Sequence, residues 1–134
     1  MLEYTGGCLC GKIRYKGRGI QGAGVCHCKN CQRQSGSAFS INVLVKSSDF
    51  ELEGETKVFY DHGDSGGAVD RHFCADCGSP VITILPSRSG IVIVKAGTLD
   101  DASIIPPPML QSYCDSAQHW VNLQNAGKKL GKMT

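Results

Sequence analysis

The chain has 134 residues, 41% hydrophobic and 19% charged, with 17 glycines, one tryptophan and a formal net charge of +2. That length suits one domain with its own core, and the apolar content excludes a disordered segment. The small net charge excludes a strongly basic protein, so neither nucleic acid nor an anionic membrane is the expected partner.

The first residues, Met1 to Tyr4, carry neither the basic head nor the apolar run of a targeting signal. Cys8 and Cys10 follow as a C-x-C pair. Over residues 12–16, Lys12, Arg14 and Lys16 alternate with Ile13 and Tyr15, the period of a half-buried strand. Cys26, Cys28 and Cys31 form a second cluster, with a turn of helix expected over 29–34. Residues 38–45 alternate and then become continuously apolar. Further short strands are expected over 57–60, 68–73, 81–85 and 91–96, separated by turn formers at 53–55, 62–67 and 86–90. The aliphatic runs 81–85 and 91–94 are strand-sized and fall far below the ~20 residues of a spanning helix. Cys74 and Cys77 lie between the expected strands 68–73 and 81–85 in a C-x-x-C-G knuckle. A second short turn is expected at 100–103. The three prolines 106–108 should run extended across the surface, because they continue neither a helix nor a central strand. Lys128, Lys129 and Lys132 fall in a stretch, 125–134, that reads as a solvated, frayed end. The whole, 1–134, reads as a single all-β domain of short antiparallel strands in packed sheets.

Eight cysteines without an export signal point to a reducing compartment, the cytoplasm, and to metal or redox chemistry rather than disulfides. Zinc takes four ligands in a tetrahedron, so seven clustered cysteines cannot fill two sites. One partition closes a structural site with Cys8, Cys10, Cys74 and Cys77 and leaves Cys26, Cys28 and Cys31 as a local triad with an open position. Spacing alone permits other partitions. As seven thiolates holding two Zn²⁺, the clusters would bring the net charge from +2 to about −1. Three thiolates weaken the Lewis acidity of zinc and suit a soft fourth ligand. An incoming thiol held as thiolate is therefore favoured over a hydrolytic water. The bland alternative is a nearby histidine as fourth ligand and a purely structural site.

These residues resemble the glutathione-dependent formaldehyde-activating enzyme family, which includes centromere protein V. The matching stretches are Gly7-Cys8-Leu9-Cys10-Gly11, the run from Cys26-His27-Cys28 through Cys31 to Phe39, and Phe73-Cys74-Ala75-Asp76-Cys77-Gly78-Ser79-Pro80, with Gly97-Thr98-Leu99-Asp100 after a late strand. The resemblance implies a β-tent zinc fold, structural zinc on Cys8, Cys10, Cys74 and Cys77, and a catalytic zinc on Cys26, Cys28 and Cys31. It also implies a carbon–sulfur lyase or synthase joining formaldehyde to the glutathione thiol as S-hydroxymethylglutathione. The chain departs from the family near its end. Gln111 stands where members often have histidine, Ala117 at a lysine position and His119 at a proline position, while Tyr113, Ser116 and Trp120 are kept.

Arg33, two residues after Cys31, is the expected anchor for a carboxylate of a glutathione-like thiol, and Arg71 is a second candidate. His27 should point away from an ion shared by its neighbours, and His62, His72 and His119 are expected in surface or packing roles. Cys114 is expected to be an inert, half-buried hydrophobe. Two rival functions remain at this level. One is a non-catalytic zinc module binding a partner; the other is a thiol redox enzyme of the methionine sulfoxide reductase type, which would need Cys114 to be reactive.

Overall fold

The computed structural model describes residues 1–133, and eleven strands are found among them. The first three are β1 (Glu3–Gly7), β2 (Arg14–Arg18) and β3 (Ile20–Cys26), followed by helix α1 (Lys29–Ser35). Next come β4 (Ser40–Lys46), β5 (Phe50–Glu53), β6 (Lys57–His62), β7 (Ala68–Phe73), β8 (Pro80–Ile84) and β9 (Ile91–Lys95). The last two are β10 (Leu110–Ser112) and β11 (Lys128–Lys129). The fold is all-β, as the alternation and turn spacing predict.

A small sheet runs β1-β2-β5 and a large one β11-β10-β3-β4-β9-β8-β7-β6. Pairing is antiparallel except around β10, which runs parallel to β3 and to β11. Two cross-strand pairs in the β1–β2 hairpin set a tyrosine against a glycine, Tyr4 with Gly17 and Gly6 with Tyr15. A side chain at Gly6 would strike both the Tyr15 ring and the Thr98 carbonyl, so the tyrosine can lie across its partner only where no Cβ intervenes.

The core is one cluster drawn from both sheets. Tyr4, Ile13 and Tyr15 meet Val43, Val45, Val81, Val92 and Val94, and Phe50 and Leu52 pack at its edge. Each fully buried Val or Ile contributes roughly 1.5–3 kcal/mol. The segment 97–100 fastens the sheets together. Thr98 bonds Tyr15 Oη (2.7 Å), and Asp100 receives Thr5 Oγ1 (2.6 Å) and the Arg14 guanidinium. The two guanidinium and hydroxyl donors hold the Asp100 carboxyl near pKa 2.

The expected turn at 100–103 is a 3₁₀ turn at Ala102–Ile104. The C-terminal stretch corrects the reading of 125–134 as frayed. β11 pairs with β10, and the Cys114, Tyr113 and Asp115 amides donate to carbonyls of Leu130, Lys132 and Gly131. Thr134 lies outside the described residues. Among the described residues no helix is long and apolar enough to cross a membrane.

Candidate metal centres

Cys8 and Cys10 lie in the turn that leaves β1, and Cys74 and Cys77 in the turn between β7 and β8. These four sulfurs come together, so the site bridges the small and large sheets. Cys8 and Cys10 Sγ are 3.6 Å apart and Cys10 and Cys74 Sγ 3.7 Å. Sulfurs about 2.3 Å from a tetrahedral zinc are about 3.8 Å from one another, so the spacing fits that ion. The local chain supports thiolates. The Ile13 amide donates to Cys8 Sγ at 3.2 Å, and Ser79 Oγ lies 3.2 Å from Cys77 Sγ while accepting from the Leu9 amide. Ser79 pulls the Cys77 thiol down to about 5. Gly78, at φ +78°, permits the knuckle to close without a strained side chain.

Cys26 ends β3, Cys28 caps α1 and Cys31 lies in its first turn. The Cys28 sulfur accepts from the Cys31 amide at 3.3 Å, the bond a Ser or Asp cap would make. α1 ends at Gly36, whose left-handed backbone donates back to the Gln32 carbonyl. The three ligand atoms fall within 4.8 Å of one another, and among the described residues no His, Asp or Glu completes the group to four. Their acidities diverge. Hydrogen bonds from Cys26 and Cys28, helped by the charge of Lys95, hold the Cys31 thiol far below its usual range. Cys28 is pushed far up by its sulfur neighbours. Three packed sulfurs thus bear one negative charge readily, and three only with a cation among them. The donor set fits zinc.

The triad forms one wall of a cavity of about 320 Å³. Much of the remaining wall is a face of the large sheet, to which Cys26 itself belongs through β3. Register sets Arg71 beside Thr83, Thr83 beside Ile93, and Lys95 beside Asn42. Alternation along β9 turns Ile93 and Lys95 to the cavity and Val92 and Val94 to the core. Gly63 and Asp64 of the β6–β7 turn, Tyr113 and Met133 border the space. Tyr113 has φ +56°, a costly conformation for an aromatic residue, and burial raises the pKa of its phenol.

Arg71 is 6% exposed, and its Nε donates to Asp61 at 2.9 Å. Burial opposes its charge, but Asp61 holds the guanidinium protonated. Burial likewise works against the Asp61 carboxylate, yet the His62 amide and Arg71 keep its pKa below the usual range. Lys95 is 8% exposed, and its ammonium donates to Asn42 Oδ1 at 2.8 Å.

Arg33 is placed elsewhere. It is exposed and lines a neighbouring groove with Trp120 and Phe39, while Lys29 borders both that groove and the triad cavity. Sequence reasoning ranked Arg33 over Arg71 because it stands closer to Cys31 in the chain, but on α1 it lies two residues from Cys31, which is not the same helical face. Lys95 and Asn42 were missed altogether. A charge closing an aliphatic run was their only signal.

His27 is 1% exposed and donates from Nε2 to Gln111 Oε1 at 3.0 Å. Gln111 thus braces the residue between two cysteines of the triad. Gln32 adds to the same scaffold, its amide bonding the His27 and Ser116 carbonyls. His72 bonds Thr56 Oγ1, and His119 is exposed. Cys114 is half-buried, bonds the Gln111 carbonyl through sulfur and belongs to neither cluster.

A family model described as glutathione-dependent formaldehyde-activating enzyme matches residues 3–116. Among solved structures, the crystal structure of a Rhodobacter sphaeroides protein superposes with a TM-score of 0.54 at 18% identity, covering 94% of this chain and 98% of that one. At that identity the likeness is one of fold. No curated protein matches the chain.

Proposed function

The chain belongs to the glutathione-dependent formaldehyde-activating enzyme family, and on that premise we propose that its cysteine-walled cavity adds a small thiol, glutathione in the first instance, to formaldehyde. The observation that carries this reading is a triad of sulfurs exposed to a cavity and lacking a fourth protein ligand among the described residues. A closed four-cysteine cluster elsewhere in the same chain already meets the structural need.

Cys8, Cys10, Cys74 and Cys77 would hold a structural zinc, and Cys26, Cys28 and Cys31 a second. A zinc ion on three thiolates favours a soft fourth partner and keeps an incoming thiol deprotonated at neutral pH. In the addition, the thiolate sulfur attacks the formaldehyde carbon and the π pair of the carbonyl moves to oxygen, which then takes a proton. The product is S-hydroxymethylglutathione, and the reverse is a carbon–sulfur lyase step. Arg71 offers a guanidinium already fixed in the wall by Asp61. A tripeptide with its thiol at the triad would carry a carboxylate outward past Lys29, with Arg33 beyond it. The cavity is near the lower end of the roughly 300–1,000 Å³ of small-molecule sites, which suits the thiol arm of a peptide with formaldehyde. Both clusters need reduced cysteines, so we assign the protein to a reducing cytoplasm, acting as one zinc-binding domain without nucleic-acid or membrane partners.

The test combines zinc analysis with exchange spectroscopy. Two zinc ions per chain are expected, the second labile and responsive to glutathione. NMR exchange between formaldehyde and S-hydroxymethylglutathione should be faster with the protein present. Two ions indifferent to every thiol, with no acceleration, would replace this reading by a non-catalytic zinc module.

A further inference from the structure

We infer that Lys95, positioned by Asn42, is the catalytic acid that receives the oxygen of the carbonyl substrate in the cavity it lines together with the cysteine triad. The inference rests on the proposed addition reaction and goes beyond it by naming the group that serves the oxygen.

Lys95 ends a strand whose preceding residues are Val92, Ile93 and Val94, and it is 8% exposed. An ammonium so deeply placed is expensive unless it is compensated. Among the described residues no carboxylate pairs with it; its hydrogen-bond partner is the neutral oxygen of Asn42 at 2.8 Å, and the negative charge it faces is that of the cysteine triad, Cys31 first. An ammonium has three donors, so two are left to point at the cavity it lines. The nearby Arg71 differs on this point, because its charge is matched by Asp61 and a guanidinium does not release its proton.

The chemistry of addition requires such a donor. As the sulfur–carbon bond forms, the carbonyl π bond breaks and an alkoxide develops on oxygen. Lys95 gives that oxygen a proton, completing the hydroxymethyl group, and the neutral amine is reprotonated from water. The proton lost by the incoming thiol goes to solvent, so atoms and charge balance over the cycle. Asn42 fixes the ammonium from the adjacent strand, in direct register with it, so the donor is in place before the substrate arrives.

The experiment compares wild type with Lys95→Met and Lys95→Arg, using glutathione and a thiol lacking carboxylates, 2-mercaptoethanol. Zinc content and the thiol-induced change in the cobalt-substituted absorption spectrum are recorded beside the addition rate. For Lys95→Met the expected result is a fall in kcat of about a hundredfold or more with both thiols. Zinc content and thiol-dependent spectra should stay as in wild type. Lys95→Arg should keep the spectra and recover little of the rate, since it carries charge without a transferable proton. A loss confined to glutathione would overturn the inference in favour of a carboxylate subsite. Full rescue by arginine would overturn proton donation, and loss of zinc or of the thiol-induced spectrum would make Lys95 a counter-charge to the triad. An active wild type with unchanged variants sinks this inference alone, whereas a wild type that accelerates neither thiol sinks the proposed function with it.

Discussion

Removing Asp61 should damage the fold more than removing the arginine it pairs with. In the pair the side chain of Arg71 is 7% exposed and that of Asp61 22%. Asp61→Ala strands a guanidinium in the sheet face, and it also takes away the acceptor of the His62 amide. Breaking a buried pair from one side costs about 3–5 kcal/mol. Because Arg71 still faces the negative Cys31, we expect the lower end, about 3 kcal/mol. Arg71→Met leaves a carboxylate that already touches water and keeps its backbone partner, for a loss of about 1–2 kcal/mol. The double variant should resemble Arg71→Met, giving a coupling of about 3 kcal/mol, the whole of the Asp61→Ala loss. Near this chain length each kcal/mol corresponds to roughly 3–5 °C in Tm. Thermal unfolding of the zinc-loaded protein at neutral pH measures all four forms. The reasoning fails if Asp61→Ala is no worse than Arg71→Met, or if the double variant loses the sum of the singles. The pH dependence carries the same sign. The pKa of Asp61 is depressed on folding, so its contribution is present above the ordinary carboxylate value of 3.8 and is lost as the pH falls below it.

Two further outcomes separate the cysteine clusters. Cys74→Ser should unfold the protein or lower its Tm by well over 10 °C, on the order of the large share of folding energy a structural zinc supplies. Cys31→Ser should keep the fold and the first zinc while losing the second, as read by elemental analysis beside circular dichroism; equal effects would contradict the division into structural and open sites. Ser79→Ala should move acid-induced zinc release to higher pH. Ser79 holds the Cys77 thiol near 5 against an ordinary value of 9.0, so Cys77 contributes stability fully above about 9 and loses it as the pH falls toward 5. A release midpoint unchanged or lowered in this variant, followed with a zinc-sensitive dye, would show that Ser79 does not support the thiolate.

Most strands with side-chain alternation and flanking turns were legible, although β1 and β5 were not expected. The expected strand at 68–73 coincides with β7, and those at 57–60 and 91–96 differ from β6 and β9 only at their ends. β3 was not, because Gly22 and Gly24 erase one side of its alternation. β10 and β11 were hidden for another reason: three- and two-residue strands are fixed by parallel pairing with distant chain, which leaves no local pattern. That same pairing is why the expected frayed end is hydrogen-bonded instead.

The cysteine pairs and the triad follow from spacing in the chain, since C-x-C and C-x-x-C segments deliver two or three sulfurs to one point whatever surrounds them. What faces the triad was decided by tertiary structure alone. Arg71, Thr83, Lys95 and Asn42 share a wall because strand register aligns them, and Arg33 is outside it despite standing two residues from Cys31. The sequence by itself determined the local sulfur groups, because spacing within C-x-C and C-x-x-C is a short-range property of the backbone, whereas the meeting of Cys8 and Cys10 with Cys74 and Cys77 took the tertiary fold. The pairing of remote strands determined the cavity, because register converts positions scattered over fifty residues into neighbours about 5 Å apart.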